Sequence, residues 1–215
     1  MQDPHDSANL EAQLSGAIER YRATWQPVDS ELYSLCRRRP GQRTFGDVFA
    51  KVAIIGRVYE AGIARSSQAS GDREAAIARG LAGQADLIES GLSKLAARRF
   101  DRESAAEIVE LHGRVCRALL PYTGGTWQQS FVSKYLHFHS DIIPIYDSRA
   151  QEAIGHHVDW DTVTPVRESL ESLPEWARYY RNFAAAFIVL YERIAAETRL
   201  HATVKEVDHL LWETT

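Results

Sequence analysis

Apolar and aromatic residues recur through this chain at three- and four-residue steps, and the sustained two-residue alternation of a half-buried strand is missing. The clearest run goes from Pro174 to about Thr198, where Trp176, Tyr179, Tyr180, Phe183, Phe187, Tyr191 and Ile194 keep helical spacing. Pro174 stands at the first-turn position, where a missing N–H costs little. Further helices are predicted over about 8–24, 45–64, 72–98, 102–120, 126–138, 147–155, 164–172 and 203–213, with Asp72, Asp101 and Thr126 as starts. The β-like run is IIPIY at 142–146, and its shortness and Pro144 make it an extended crossing instead of a strand. The expectation is an all-α protein of eight to ten helices, either one domain over 1–215 or two lobes at 1–100 and 101–215.

With 215 residues, 45% of them apolar, the chain has enough material for a real core. A net charge of −4 and a pI near 6.1 exclude a polycation that coats nucleic acid indiscriminately. The charge is uneven, however. Between Glu31 and Arg65, seven basic residues (Arg37, Arg38, Arg39, Arg43, Lys51, Arg57, Arg65) face three acids (Glu31, Asp47, Glu60), which suits a placed anion such as a phosphate. An exposed loop such as RRRPGQR also serves solubility alone. Cys36 and Cys116 lie far apart, outside any CxxC spacing, and read as reduced thiols. MQDPHDSANL has no basic or apolar leader pattern, and AAAFIVLY at 184–191 is too short to cross a bilayer, so a cytoplasmic protein without membrane partners is expected. SSQASGD at 66–72 is the best hinge, and Gly80, Gly83 and Gly91 either weaken the helix that follows or let it pack closely.

The stretch most able to carry chemistry is SFVSKYLHFHSDIIPIYDSRAQEAI at 130–154. It reads as an amphipathic helix, the apolar crossing, and a second helix opened by Asp147. Lys134 on the first helix then faces a carboxylate at the start of the next. A desolvated amine is a nucleophile, and a nearby carboxylate orients it or stabilises developing positive charge. The structural alternative is an ordinary N-cap at Asp147 and a partly exposed lysine that contributes little to stability. Metal readings fail on geometry: His137 and His139 diverge on a helix, as do the adjacent His156 and His157, and no metal or cofactor is expected. TGGTW at 123–127 presents N–H groups of Gly124 and Gly125 to a phosphate, or simply makes a tight turn before a helix. In FGDVFAKVAIIGRVYEAGIAR, the face carrying Val48, Val52, Ile55 and Tyr59 reads as core.

KYLHF followed by the crossing and IYDSRA resembles the core of the helix-hairpin-helix DNA glycosylase superfamily, in its 8-oxoguanine DNA glycosylase branch, and TVKEVDHLLWE resembles the terminal helix of such folds. The resemblance covers about 25 central residues and roughly a dozen at the end. It implies Lys134 as a Schiff-base nucleophile and Asp147 as the catalytic carboxylate, with base excision, strand cleavage by elimination, DNA or a nucleotide as partner, and a place in DNA repair or bacterial defence. Where the family alternates hairpin glycines, LLPYTGGTWQQSFVSK has them adjacent, and the lysine-to-aspartate spacing is shorter. Phosphate binding is therefore expected to draw on Arg37, Arg38, Arg39, Arg43 and Arg57 as well as Gly124 and Gly125. Trp127, Tyr146 and Trp212 are the base-stacking candidates. Two other readings stand beside this one: a noncatalytic nucleic-acid or nucleotide-binding module of the same fold, and a helical adaptor whose 174–198 helix docks a protein partner.

Overall fold

A computed structural model describes residues 4–61, 73–170 and 173–214. Among them the protein is all-α, with eleven α-helices and no strand. In order these are α1 (Pro4–Thr24), α2 (Gln26–Arg38), α3 (Phe45–Val58), α4 (Arg73–Ala82), α5 (Ala85–Leu95), α6 (Arg102–Leu119), α7 (Gln129–His137), α8 (Ser148–Ile154), α9 (Trp160–Ser169), α10 (Arg178–Glu197) and α11 (Val204–Glu213). The 66–72 hinge and Arg65 lie outside the described residues. No described helix is long and apolar enough to cross a membrane.

The aromatic stripe of the 174–198 run is spent inside the molecule. Its first turn is a 3-10 turn at Glu175–Ala177, after which α10 buries Tyr180, Phe183, Phe187 and Ile194 against α6, α8 and α9. Tyr179 points outward. One contiguous core runs from Leu10 to Leu211, and α1 packs directly on α11, so the two ends of the chain share it.

Several helices differ from the periodicity reading. Residues 26–38 form α2, which the pattern misses: Pro27 sits in its first turn, and Leu32, Leu35 and Cys36 supply the buried face. Arg37 and Arg38 accordingly end a helix and are not part of a loop. The predicted 72–98 helix is two helices broken at Gly83 and Gln84. Gly80 and Gly91 are close-packing positions, because a Cβ on Gly80 would meet Leu119 at 2.7 Å and one on Gly91 would meet Leu111 at 2.5 Å. The α6–α7 connection runs on to Gln128, beyond the predicted start at Thr126, with Gly124 and Gly125 at φ of +61° and +81°, a region open mainly to glycine. α9 begins at Trp160, capped by Asp159, ahead of the predicted 164.

Two cysteines, Cys36 and Cys116, are free and buried. Burial pushes the Cys36 thiol up to about 11, which makes it an inert core residue.

Candidate functional site

The extended crossing fixes the distance between Lys134 and Asp147. Ile143, Pro144 and Ile145 are buried, and side chains satisfy the backbone groups of this stretch. Tyr180 donates its hydroxyl to Pro144 O at 2.7 Å, and Ser133 Oγ accepts from Tyr146 N at 2.9 Å. His137 Nδ1 meets Ile143 O at 2.7 Å, so that nitrogen carries the proton and Nε2 accepts from the Tyr33 hydroxyl. Burial drives the His137 pKa down to about 3, and the ring stays neutral. α7 and the start of α8 are thereby clamped together from α2 and α10.

Lys134 is 3% exposed, so the partly exposed lysine of the sequence reading is in fact a buried one. Its Nζ donates to Ser130 Oγ at 2.9 Å and lies 3.4 Å from Asp147 Oδ2. Desolvation lowers its pKa against the raising pull of Asp147. Asp147 does two jobs at once: Oδ1 accepts from Ala150 N at 2.9 Å as the N-cap of α8, and Oδ2 faces the amine. The cap and the ion pair are compatible because each uses a different carboxylate oxygen.

Around this pair stands a polar cluster that the sequence reading did not assemble. Lys205 on α11 is buried and ion-paired to Asp208 at 2.6 Å, with Asp29 Oδ2 of α2 at 3.9 Å. Tyr59, just after α3, donates its hydroxyl to Asp29 Oδ1. The Tyr59 ring centre lies 5.9 Å from Lys134 Nζ and 5.1 Å from Lys205 Nζ, within cation–π range of both amines. Burial raises the Asp208 pKa, partly offset by Lys205. Four helices, α2, α7, α8 and α11, thus deliver two amines and three carboxylates to one place.

The cluster borders on an aromatic surface. Trp25 packs against Tyr59 and edge-on against Trp212, with centroids 5.9 Å and 6.1 Å apart. Trp212 is 41% exposed, and the Arg149 guanidinium sits 5.1 Å from its ring. Trp212 is thus the stacking candidate that this network joins to the lysines. Tyr146 is half-buried against Tyr180 and Phe183 and serves the core, while Trp127 is exposed on the α6–α7 connection.

The arginines do not form an open basic surface. Arg39 pairs with Asp47, Arg43 with Asp86 and Glu89, and Arg57 with Glu74. Arg38 bonds to Ser34, and neither Arg37 nor Arg38 has an ion pair among the described residues. Lys51 is fully buried and holds the 39–42 turn from inside, through Arg39 O at 2.9 Å, Gly41 O at 3.0 Å and Gln42 Oε1 at 3.2 Å. Gly124 and Gly125 are exposed, but the Gly125 amide is already committed to Leu120 O at 3.0 Å. His137 and His139 turn to different partners, His139 meeting Gln42, and no group of three metal-ligating side chains exists among the described residues. A polar cleft between α5 and α6, lined by Asp86, Lys94, Glu107 and Arg114, contains none of the lysine-site residues.

Comparison with known proteins adds no relative: no family model, no curated protein and no solved structure matches the chain.

Proposed function

We propose that this protein is a base-excision enzyme of the 8-oxoguanine DNA glycosylase type, acting through Lys134 as covalent nucleophile and Asp147 as its carboxylate. The observation that carries the reading is the buried amine of Lys134 set 3.4 Å from a carboxylate oxygen on the next helix start. Desolvation favours the neutral amine, which is the form that attacks. In the proposed reaction C1′ of an extruded nucleotide is attacked by Nζ as the base departs, and Asp147 stabilises the positive charge that develops on the sugar. The imine that follows sets up strand cleavage by elimination. Trp212, with Arg149 stacked on it, offers a face for a base.

The α6–turn–α7 unit supports the resemblance to helix-hairpin-helix glycosylases, since it delivers the lysine from the second helix of a hairpin. The adaptor alternative has less support, because the aromatic face of α10 is buried. Borohydride trapping with oligonucleotides bearing a panel of base lesions tests the proposal. Wild type should form a covalent adduct; Lys134→Gln should form none, and Asp147→Asn, which keeps the cap, should form it at least tenfold more slowly. A Lys134→Gln protein that still traps or excises at the wild-type rate removes the assigned nucleophile.

A further inference from the structure

Three carboxylates serve two amines in the cluster, and they are shared unequally. Lys205 holds Asp208 at 2.6 Å and lies 3.9 Å from Asp29 Oδ2, an oxygen with no hydrogen-bond partner among the described residues. Lys134 is left with Asp147, whose other oxygen is engaged as a helix cap. Asp29 is fully buried and Asp208 is 5% exposed, so neither draws much solvation from water. Asp208 also acts electrostatically on Lys134. Take Lys205 away, and the amine remaining for Asp208 in this cluster is Lys134.

We propose that Lys205 is a positioning residue: it holds Asp208 so that this carboxylate does not capture Lys134, leaving that amine to Asp147. The inference rests on reading Lys134 as the nucleophile, since a nucleophilic amine has to be unprotonated. The like charge of Lys205 acts on Lys134 in the same direction.

The other titratable groups on the elements packed around the cluster do not duplicate this role. From α7 itself comes His137, neutral and tied to Tyr33 of α2. From α6 comes His112, bonded to Gln129 O and lowered to about 4 by burial. Tyr59 follows α3 and is committed to Asp29; Tyr21 of α1 lies against Lys205 at 6.0 Å; Arg149 of α8 is stacked on Trp212. Lys205 is the cation of the cluster placed to hold Asp208.

Protein labelled with carbon-13 at lysine Cε reads the titration of Lys134 directly, its resonance assigned by loss in Lys134→Gln. Lys205→Met should raise the Lys134 midpoint by about one pH unit, roughly a tenfold loss of free amine at neutral pH. Lys205→Arg should keep the wild-type midpoint, and adding Asp208→Asn to Lys205→Met should bring the midpoint back towards it. A residue that only braces the fold would give no such reversal. Should Lys205→Met fail to fold, Lys205→Gln, which removes the charge and leaves a neutral donor for Asp208, should raise the midpoint in the same direction by a smaller amount. An unchanged midpoint in the folded variant overturns the proposal. Borohydride trapping across pH separates the two readings. A midpoint shift in a protein that traps nothing sinks the glycosylase function and leaves Lys205 as the group that frees Lys134.

Discussion

At the scale of single residues, two buried lysines are stabilised in opposite ways. Lys134 has a carboxylate beside it, whereas Lys51 is fully buried and, among the described residues, donates to two carbonyls and an amide oxygen. Burial therefore lowers the Lys51 pKa to about 8. The folded value lies below the unfolded one, so between about pH 8 and 10 the unfolded chain binds more protons and stability rises with pH. The gain is at most about 1.4 kcal/mol per pH unit; below the window the cost of burying the charge is constant. Urea midpoints of wild type and Lys51→Met should show a difference that moves in favour of wild type from pH 8 to 10 and is flat from pH 6 to 7.5. Taking the difference cancels the tyrosines, whose raised pKa values act the other way above pH 10. Lys134 and Asp147 were legible in the sequence because a crossing between two helices brings them together at short range. Lys205, Asp208 and Asp29 were not. A charge pair three apart on an amphipathic helix ordinarily faces solvent, and nothing local says that α11 is buried from Val204 to Leu211.

At the scale of elements, periodicity identifies a helix more reliably than it identifies where a helix stops. α10 and α11 were legible because long apolar stripes or a capping box mark them, Thr203 and Glu206 bonding reciprocally at the start of α11. α2 was missed because its buried apolar residues are Leu32, Leu35 and Cys36, set between a proline and an arginine run that resemble a loop. The break between α4 and α5 was blurred by three glycines, of which Gly80 and Gly91 serve close packing and Gly83 stands at the break. Gly113 on α6 shows how closely elements approach here. A Cβ there would lie 2.3 Å from Cζ3 of Trp176, on the 3-10 turn that leads into α10. Alanine gains about 1 kcal/mol of helix propensity, but overpacking against a rigid indole costs roughly 1–3 kcal/mol, and at 2.3 Å the clash should win. Gly113→Ala should therefore lower the melting temperature by several degrees, and an unchanged or higher value would show that the turn moves aside freely.

For the whole molecule, affinity for nucleic acid depends on how much positive charge the surface leaves uncommitted. The chain carries −4 overall, and of the five arginines singled out by sequence, Arg39, Arg43 and Arg57 already face carboxylates. Sequence counts charges but not the folding that sets Glu74 against Arg57 or Asp86 against Arg43, so the basic stretch looks stronger in one dimension than it is in three. Exposed pairs of this kind contribute little to stability, yet each must open before its arginine can neutralise a phosphate. Arg37 and Arg38, at the end of α2, carry no such cost. Duplex binding should consequently be weak at physiological salt, with a shallow dependence of log affinity on log salt. Changing Arg37, Arg38 and Arg39 together to Ala should reduce that slope by about two units rather than three, because each phosphate contact contributes about one and Arg39 is held by Asp47. Titration of single- and double-stranded oligonucleotides across a salt series checks this. A loss of three units would mean that Asp47 releases Arg39 on binding; no loss at all would clear this face of any contact and leave the aromatic rim around Trp212 and Arg149 as the surface that meets the substrate.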